Sequence, residues 1–257
     1  HKRPLPWRET QDPYYILVSE VMLQQTQVAR VLEKYPLFIA AFPGFPALRE
    51  APLAEVLRLW QGMGYNRRAL ALKTIAEKTI TEYGGRLPDD PRVLETFPMI
   101  GRNTAASITA FAFNRPAVFI ETNIRTVFIH FFFPDEESVN DRDLLPLVEK
   151  TMDRSEPCLW YNALMDYGVM LKSILKDINK KSSHYSRQKP FAGSDRELRG
   201  RLLKLASEQE GPGIYDIAEK LGEGKDRVLH IAEKMAAEGF FTIRGGKIII
   251  AGIKERS

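Results

Sequence analysis

The sequence predicts a mainly α-helical protein with a small α+β module at its C-terminal end. Three observations carry that expectation. Apolar residues recur at helical spacing through residues 1–190, strand-like alternation is absent there, and a hairpin signal at Gly245-Gly246 falls late in the chain. From the N-terminus, Asp12-Pro13 reads as an N-cap followed by proline at the first helical position. Ile16, Leu17, Val21, Val28, Val31 and Leu32 then form an amphipathic stripe. Further helices are expected near 52–60, 66–83, 90–96, 102–113, 122–131, 141–153 and 157–176, punctuated by FPGFP, QGMGY, YGGRLPDDP and NRP. KKSSHYSRQKPFAGSD (180–195) is polar, broken by Pro190 and Gly193, and reads as a linker. After it come a helix capped by Ser194 or Asp195, a second carrying Ile214, Ile217, Ala218 and Leu221, and a third carrying Val228, Ile231, Ala232 and Met235. Phe240–Ile243 and Lys247–Ile250 flank the Gly-Gly turn, completing a winged helix-turn-helix pattern. The expected division is 1–190 and 191–257.

Composition narrows the class. The 257 residues are 44% hydrophobic and 27% charged, ordinary for a globular protein with a real core. No apolar run reaches the ~18 residues of a membrane span. The N-terminus, HKRPLPWRET, lacks an h-region and reads as a chain boundary, not a signal peptide. One cysteine excludes an internal disulfide, a four-cysteine zinc site and a cysteine-ligated iron–sulfur cluster, and fits a reducing interior. The net charge of +4 is unevenly placed. Residues 172–204 hold ten Lys/Arg against three acids, a net +7, leaving −3 for the rest. That strip is either a solvated connector or a phosphate-tracking segment. The third helix of the C-terminal module, 225–238, balances Lys225, Arg227 and Lys234 against Asp226, Glu233 and Glu238. Protein contact therefore competes with groove binding as its role.

Three segments carry candidate chemistry. In SEVMLQQTQ (19–27), Glu20 lies in an apolar helix; an apolar pocket would raise its pKa and let it donate a proton. In LETFPMIGRNTA (94–105), a turn at Gly101 opens a helix whose N-terminal N–H groups suit a phosphate. In FIETNIR (119–125), Glu121 is either a helix cap or a second functional carboxylate.

Together with LPWR (5–8), LWQGMGYNRRA (59–69) and NALMDYG (162–168), these segments resemble the helix-hairpin-helix DNA glycosylases, in particular the adenine-specific MutY branch. The resemblance covers roughly residues 4–172 and implies a glycosylase fold of two helical subdomains with its hairpin at about 94–105. It also implies a mechanism in which a mispaired base, adenine opposite 8-oxoguanine or guanine, is flipped out of duplex DNA and excised. Glu20 would protonate the adenine ring, Glu121 would stabilise the oxocarbenium-like sugar, and Asn123 would orient the acids. Trp7, Arg8, Leu23, Asn103 and Asp166 match base-pocket positions. Gln24, Gln25, Thr26 and Tyr65 match positions that wedge into the stack or meet the opposite base, and Ile100, Gly101, Arg102 and Thr104 match the DNA-binding hairpin. Asn103 stands where bifunctional relatives carry a nucleophilic lysine, so a monofunctional enzyme is implied.

The chain departs from that family in four places. Glu121 replaces an aspartate, and Met99 replaces the first hairpin glycine, where a Cβ resists positive φ. The cluster-ligand positions fall at Lys172, Asn179, Ser182 and Gln188, so no cluster and no other metal or cofactor is expected; Cys158 reads as a small buried apolar residue. The winged-helix-like module replaces the domain that reads 8-oxoguanine. The expected partner is double-stranded DNA, with no membrane, the chain acting as an intracellular monomer and the winged helix's own partner left open. The alternatives are excision of uracil or thymine opposite guanine, or of another damaged base, and a catalytically weak lesion-binding protein.

Overall fold

The computed structural model describes residues 2–175, 177–185, 190–208 and 211–250. In chain order the helices are α1 (Pro13–Leu23), α2 (Val28–Ala41), α3 (Phe45–Glu50), α4 (Leu53–Trp60), α5 (Arg67–Tyr83), α6 (Pro91–Leu94) and α7 (Arg102–Phe113). They continue as α8 (Thr122–Phe132), α9 (Asp141–Thr151), α10 (Pro157–Ile174), α11 (Asp195–Glu208), α12 (Ile214–Leu221) and α13 (Lys225–Ala237). Strands β1 (Phe241–Arg244) and β2 (Lys247–Ile250) follow, so the mainly α class with a C-terminal α+β module is observed. The chain groups into two compact units, each made of two stretches: His1–Val21 with Leu87–Gln188, and Met22–Arg86 with Lys189–Ser257. A linear division at 190 follows one of the crossings between them.

The first unit is centred on α7, whose residues from Ala105 to Ala112 are all buried. Its small side chains admit close neighbours, and α8 packs along α10 beside it. Gly168 of α10 lies against the start of α8: a Cβ there would stand 2.3 Å from the Asn123 carbonyl oxygen. Tyr161 stacks on Phe119 at 4.0 Å and donates to the Ala117 carbonyl at 2.8 Å, fixing the extended stretch that leads to Glu121. Asp12 caps α1, accepting from the Tyr14 N–H at 2.8 Å.

The α6–α7 hairpin keeps its left-handed turn although methionine occupies it. Met99 has φ +62°, a conformation that costs a residue with a Cβ about 1 kcal/mol. Met99→Gly is therefore expected to stabilise the protein by about that amount, raising the melting temperature by roughly 2–4 °C. Calorimetry checks this; an unchanged or lower melting temperature would mean the Met99 side chain compensates for its backbone.

Three expectations are corrected. The stripe from Ile16 to Leu32 is not one helix: the chain leaves α1 after Leu23, passes through Gln25 at φ +52°, and re-enters helix at Val28. FPGFP is not only a break, because Gly44 precedes α3 and its Phe45 and Leu48 are buried. The described start of the expected linker is docked instead of free. Ile178–Lys181 forms a 3-10 turn, Val139 N–H donates to the Lys181 carbonyl at 2.7 Å, and Thr126 Oγ1 donates to Asn179 Oδ1 at 2.5 Å. Hydrogen bonds, not apolar periodicity, hold this segment, so its polar composition concealed it. Lys176 and residues 186–189, including Arg187, Gln188 and Lys189, lie outside the described residues.

In the second unit the C-terminal module has the expected winged-helix order. Ser194 Oγ accepts from the Glu197 N–H at 3.3 Å while Glu197 Oε2 accepts from the Gly193 N–H at 2.7 Å, closing the start of α11. Gly245 (φ +54°) and Gly246 (φ +73°) form the two-residue turn that pairs Phe241 with Ile250. On the other side of β2, Ile214 N–H donates to the Gly246 carbonyl at 2.8 Å and Ile248 N–H to the Pro212 carbonyl at 3.0 Å. Leu198, Leu202, Val228, Met235, Phe240 and Ile248 form its core. Within the same unit α11 packs on α4, and Gln61 donates to Ser207 at 3.1 Å. The module is thus built into this unit and not strung after it.

Candidate active site

Glu20 lies in the last turn of α1, whose neighbours Leu17, Val18 and Val21 are fully buried. Part of the residue's surface stays open, yet enough protein surrounds the carboxyl that burial pushes its pKa up to about 7. A hydrogen bond with Ser107 opposes that rise and the charge of Glu121 adds to it. Ser107 Oγ of α7 is 2.5 Å from Glu20 Oε2 and 3.0 Å from the Thr104 carbonyl. A hydroxyl has one proton to give. When Glu20 is ionised, Ser107 donates to it; when Glu20 is protonated, Glu20 donates to Ser107, whose proton turns to Thr104. Both charge states are accommodated with the same heavy-atom positions. Ser107 was missed in the sequence, where its signal is one of two hydroxyls, with Thr109, within the run AASIT.

Glu121 does cap α8, and the cap also orients it. Its carboxylate accepts from the N–H groups of Asn123 at 2.9 Å and Ile124 at 3.1 Å, and from Asn123 Nδ2 at 3.2 Å. Asn123 Oδ1 is buried with no hydrogen-bond partner among the described residues, leaving an acceptor beside Glu121. Lys172 of α10 also belongs to this neighbourhood: burial holds its pKa below the ordinary lysine value, Glu121 pulls it upward, and Arg3 pushes it down.

Trp7 is buried, and Arg8 Nη1 reaches both Asp166 oxygens at 2.9 and 2.8 Å. Arg3 adds its Nε at 2.6 Å and its backbone N–H at 3.1 Å. Burial pushes the Asp166 carboxyl up, but these bonds from Arg8 and Arg3 outweigh it and hold the pKa below the usual carboxylate range. Asp166→Ala strands the Arg8 guanidinium, whose side chain is 6% exposed, and is expected to cost about 3–5 kcal/mol in urea unfolding. A loss below about 1 kcal/mol would mean the pair is effectively solvated. Asn103 Nδ2 donates to the Ile120 carbonyl at 3.2 Å, joining the start of α7 to the segment before Glu121.

The hairpin presents Gly101 and Arg102 to solvent, with Thr104 partly covered, and Gly101 at the N-cap of α7 has no side chain to cap it. Ile100 is different: it is buried, and its N–H donates to the Phe97 carbonyl, so it packs beneath the hairpin.

In the second unit, Gln24, Gln25, Thr26 and Tyr65 are gathered by a residue the sequence reading missed, Arg68. Its buried guanidinium donates to the carbonyls of Met22 (2.8 Å), Gln24 (2.6 Å), Met63 (3.1 Å) and Gly64 (3.0 Å), and to Thr26 Oγ1 (3.0 Å). It also stands 5.6 Å from the Tyr65 ring centre. Burial lowers its pKa to about 10, leaving it cationic at neutral pH. Both loops it holds contain a non-glycine residue in the left-handed region, Gln25 at φ +52° and Tyr65 at φ +46°. Stored strain of this kind gathers at functional loops. The available signal was periodicity, since Arg68 lies four residues before buried Leu72. Leu23, at the end of α1, belongs to this unit as well.

The residues at the four cluster-ligand positions do not fit an iron–sulfur cluster. Asn179 is committed to Thr126, Ser182 is bridged to Val139, Lys172 is a cation, and Gln188 lies outside the described residues. Cys158, expected to be buried, is half-buried in the first turn of α10 and accepts a hydrogen bond from Asn162. Among the described residues no three His, Cys, Asp or Glu are grouped to hold a metal ion, and no helix is long and apolar enough to cross a membrane.

Residues 18–148, which include Glu20, the hairpin and Glu121, match the family described as HhH-GPD superfamily base excision DNA repair protein. The chain belongs to that superfamily. Within it, the chain is similar to adenine DNA glycosylases: that of Mycobacterium tuberculosis is 32% identical over 82% of this chain and 76% of its own length. The enzyme of Buchnera aphidicola is 33% identical over 66% of this chain, which spans only 49% of that protein. The solved structure of a thermostable thymine-DNA glycosylase superposes with a TM-score of 0.60 at 29% identity, covering 65% of this chain and 79% of that one.

Proposed function

We propose that this protein is a monofunctional DNA N-glycosylase that binds duplex DNA as a monomer and excises adenine mispaired with 8-oxoguanine or guanine. The observation that carries the reading is the pairing of two unlike carboxylates in one unit. Glu20 is raised to about 7 and holds a proton near neutrality, while Glu121 is held as an acceptor by three N–H groups. That division of labour is what glycosidic cleavage needs. Glu20 protonates the ring nitrogen of the extruded base, which leaves as a neutral purine. The Glu121 carboxylate offsets the positive charge that grows on the sugar. Asn123 orients Glu121, and its open Oδ1 can accept from the water that completes hydrolysis. Arg8 and Asp166 fix one wall of the base site, and the Arg68-held loops enter the vacated stack. No lysine stands at Asn103, so the product is an intact abasic site. The residue types at the cluster positions support function without a metal cofactor.

The test is excision from duplexes carrying A opposite 8-oxoguanine, A·G, T·G, U·G or hypoxanthine, followed by alkali. Cleavage at adenine is expected. Cleavage confined to T or U would replace the adenine reading with the thymine/uracil one, which the similarity to a thymine-DNA glycosylase favours. Tight binding without cleavage would make the chain a lesion binder.

A further inference from the structure

The winged-helix module has a neutral third helix, and its structure shows where two of that helix's three Lys/Arg side chains go. Arg227 is bound to Glu223 at 2.8 Å and Asp195 at 3.1 Å, and Lys225 sits 5.3 Å from the Tyr215 ring centre. On α11, Arg199 is paired with Glu238 and Arg201 with the Leu221 carbonyl and Glu223. Arg196 of α11 is directed elsewhere: its Nη1 donates to the Tyr65 hydroxyl at 3.0 Å, and its guanidinium lies 5.7 Å from the Tyr65 ring centre. Arg68 stands 5.6 Å from the same centre. Tyr65 is thus clamped by two guanidiniums, one from α5, the helix that begins two residues after it, and one from the C-terminal module, while its backbone sits at φ +46°.

We infer that Arg196 is a specificity-determining positioning residue, through which the winged-helix module fixes Tyr65 for reading the base opposite the excised one. The inference rests on the proposed glycosylase function and on Tyr65 meeting the opposite base. The physical reason is preorganisation. A tyrosine whose hydroxyl and ring are both engaged before DNA arrives loses little rotamer freedom on stacking. A ring fixed in one place also separates opposite bases that differ in edge and width, because it does not move to accommodate either. The module's contribution to DNA recognition is then made through α11, at the Tyr65 loop, and not by laying α13 in a groove.

The experiment uses the full chain in a Glu20→Gln background, so that binding is measured without turnover. Affinities are compared for A opposite 8-oxoguanine and A opposite guanine, with Arg196→Ala, Arg196→Lys, Tyr65→Phe, Tyr65→Ala and the Arg196→Ala/Tyr65→Phe pair. Arg196→Ala is expected to reduce the preference for the oxidised partner about tenfold, the joint worth of one hydrogen bond and one cation–π contact. Arg196→Lys should recover part of it, and the double variant should be no worse than Arg196→Ala, because both remove the same link. Melting temperatures within about 2 °C of the parent would exclude a merely structural effect. If Tyr65→Ala abolishes the preference while Arg196→Ala leaves it intact, the role of Arg196 is overturned and that of Tyr65 survives. If neither changes the preference, although the wild type still excises adenine, the Tyr65 role fails and this inference with it, leaving the glycosylase reading standing.

Discussion

Glu20→Gln is expected to abolish excision and to make the protein more stable above neutral pH. The first effect follows from chemistry. Glutamine keeps the shape and can still bond to Ser107, but it has no proton to transfer, and loss of a positioned general acid costs on the order of 10²–10⁴ in rate. DNA affinity should stay near the wild-type value. The second effect follows from the raised pKa. An unfolded glutamate loses its proton near 4.5, whereas folded Glu20 keeps it until about 7. Between those values the native state binds the extra proton, so wild-type stability falls as pH rises and the deficit is complete above the folded pKa. The spread corresponds to about 3 kcal/mol, which the uncharged variant does not lose. Urea unfolding at pH 5 and pH 8 would show a pH-dependent gap between wild type and variant, growing toward pH 8. Single-turnover excision by the wild type should decline above pH 7 with unit slope. A variant that keeps a tenth of the wild-type rate, or a stability gap independent of pH, would remove Glu20 from the acid role.

Gly168→Ala is expected to lower both stability and excision rate through the packing of α10 on α8. The added methyl group would lie 2.3 Å from the Asn123 carbonyl oxygen and 2.8 Å from its Cβ. The nearest of these atoms is backbone, so either α8 or α10 must shift by about 1 Å. Overpacking of this kind costs roughly 1–3 kcal/mol. The first turn of α8 carries the amides that aim Glu121, so the same shift should lower the excision rate by about 10² without weakening binding in proportion. The measurement is the rate at saturating enzyme beside the melting temperature. A variant that is destabilised but chemically normal would mean the helices yield away from Glu121.

Much of this was legible in the sequence, and the misses share a cause. Features set by local chemistry were readable: the helix starts at Asp12 before Pro13 and at Ser194 before α11, and the Gly-Gly hairpin turn, all act through their immediate neighbours. Glu20 and Glu121 stood out because a carboxylate in an apolar helix and one at a helix start are local oddities. Ser107 and Arg68 were not readable as part of the site, because their meaning lies in partners far along the chain. Arg68 bonds to carbonyls of Met22 and Gln24, and Ser107 to an acid on α1. The docked turn at Ile178–Lys181 failed for the same reason, since its anchors at Thr126 and Val139 are distant. Composition describes what a segment is made of, whereas these residues are defined by what they meet.

The division of each unit into two stretches has a consequence for a newly made chain. Synthesis proceeds from the N-terminus, and the first unit has all its residues once position 188 has emerged from the ribosome. Residues 22–86 are finished far earlier, yet the helix that packs on α4 is among the last to appear. At bacterial or eukaryotic translation speeds the delay is on the order of 10 s. During it, the face of α4 that α11 will cover has no cognate helix, and chaperones, or another nascent chain, can reach it first.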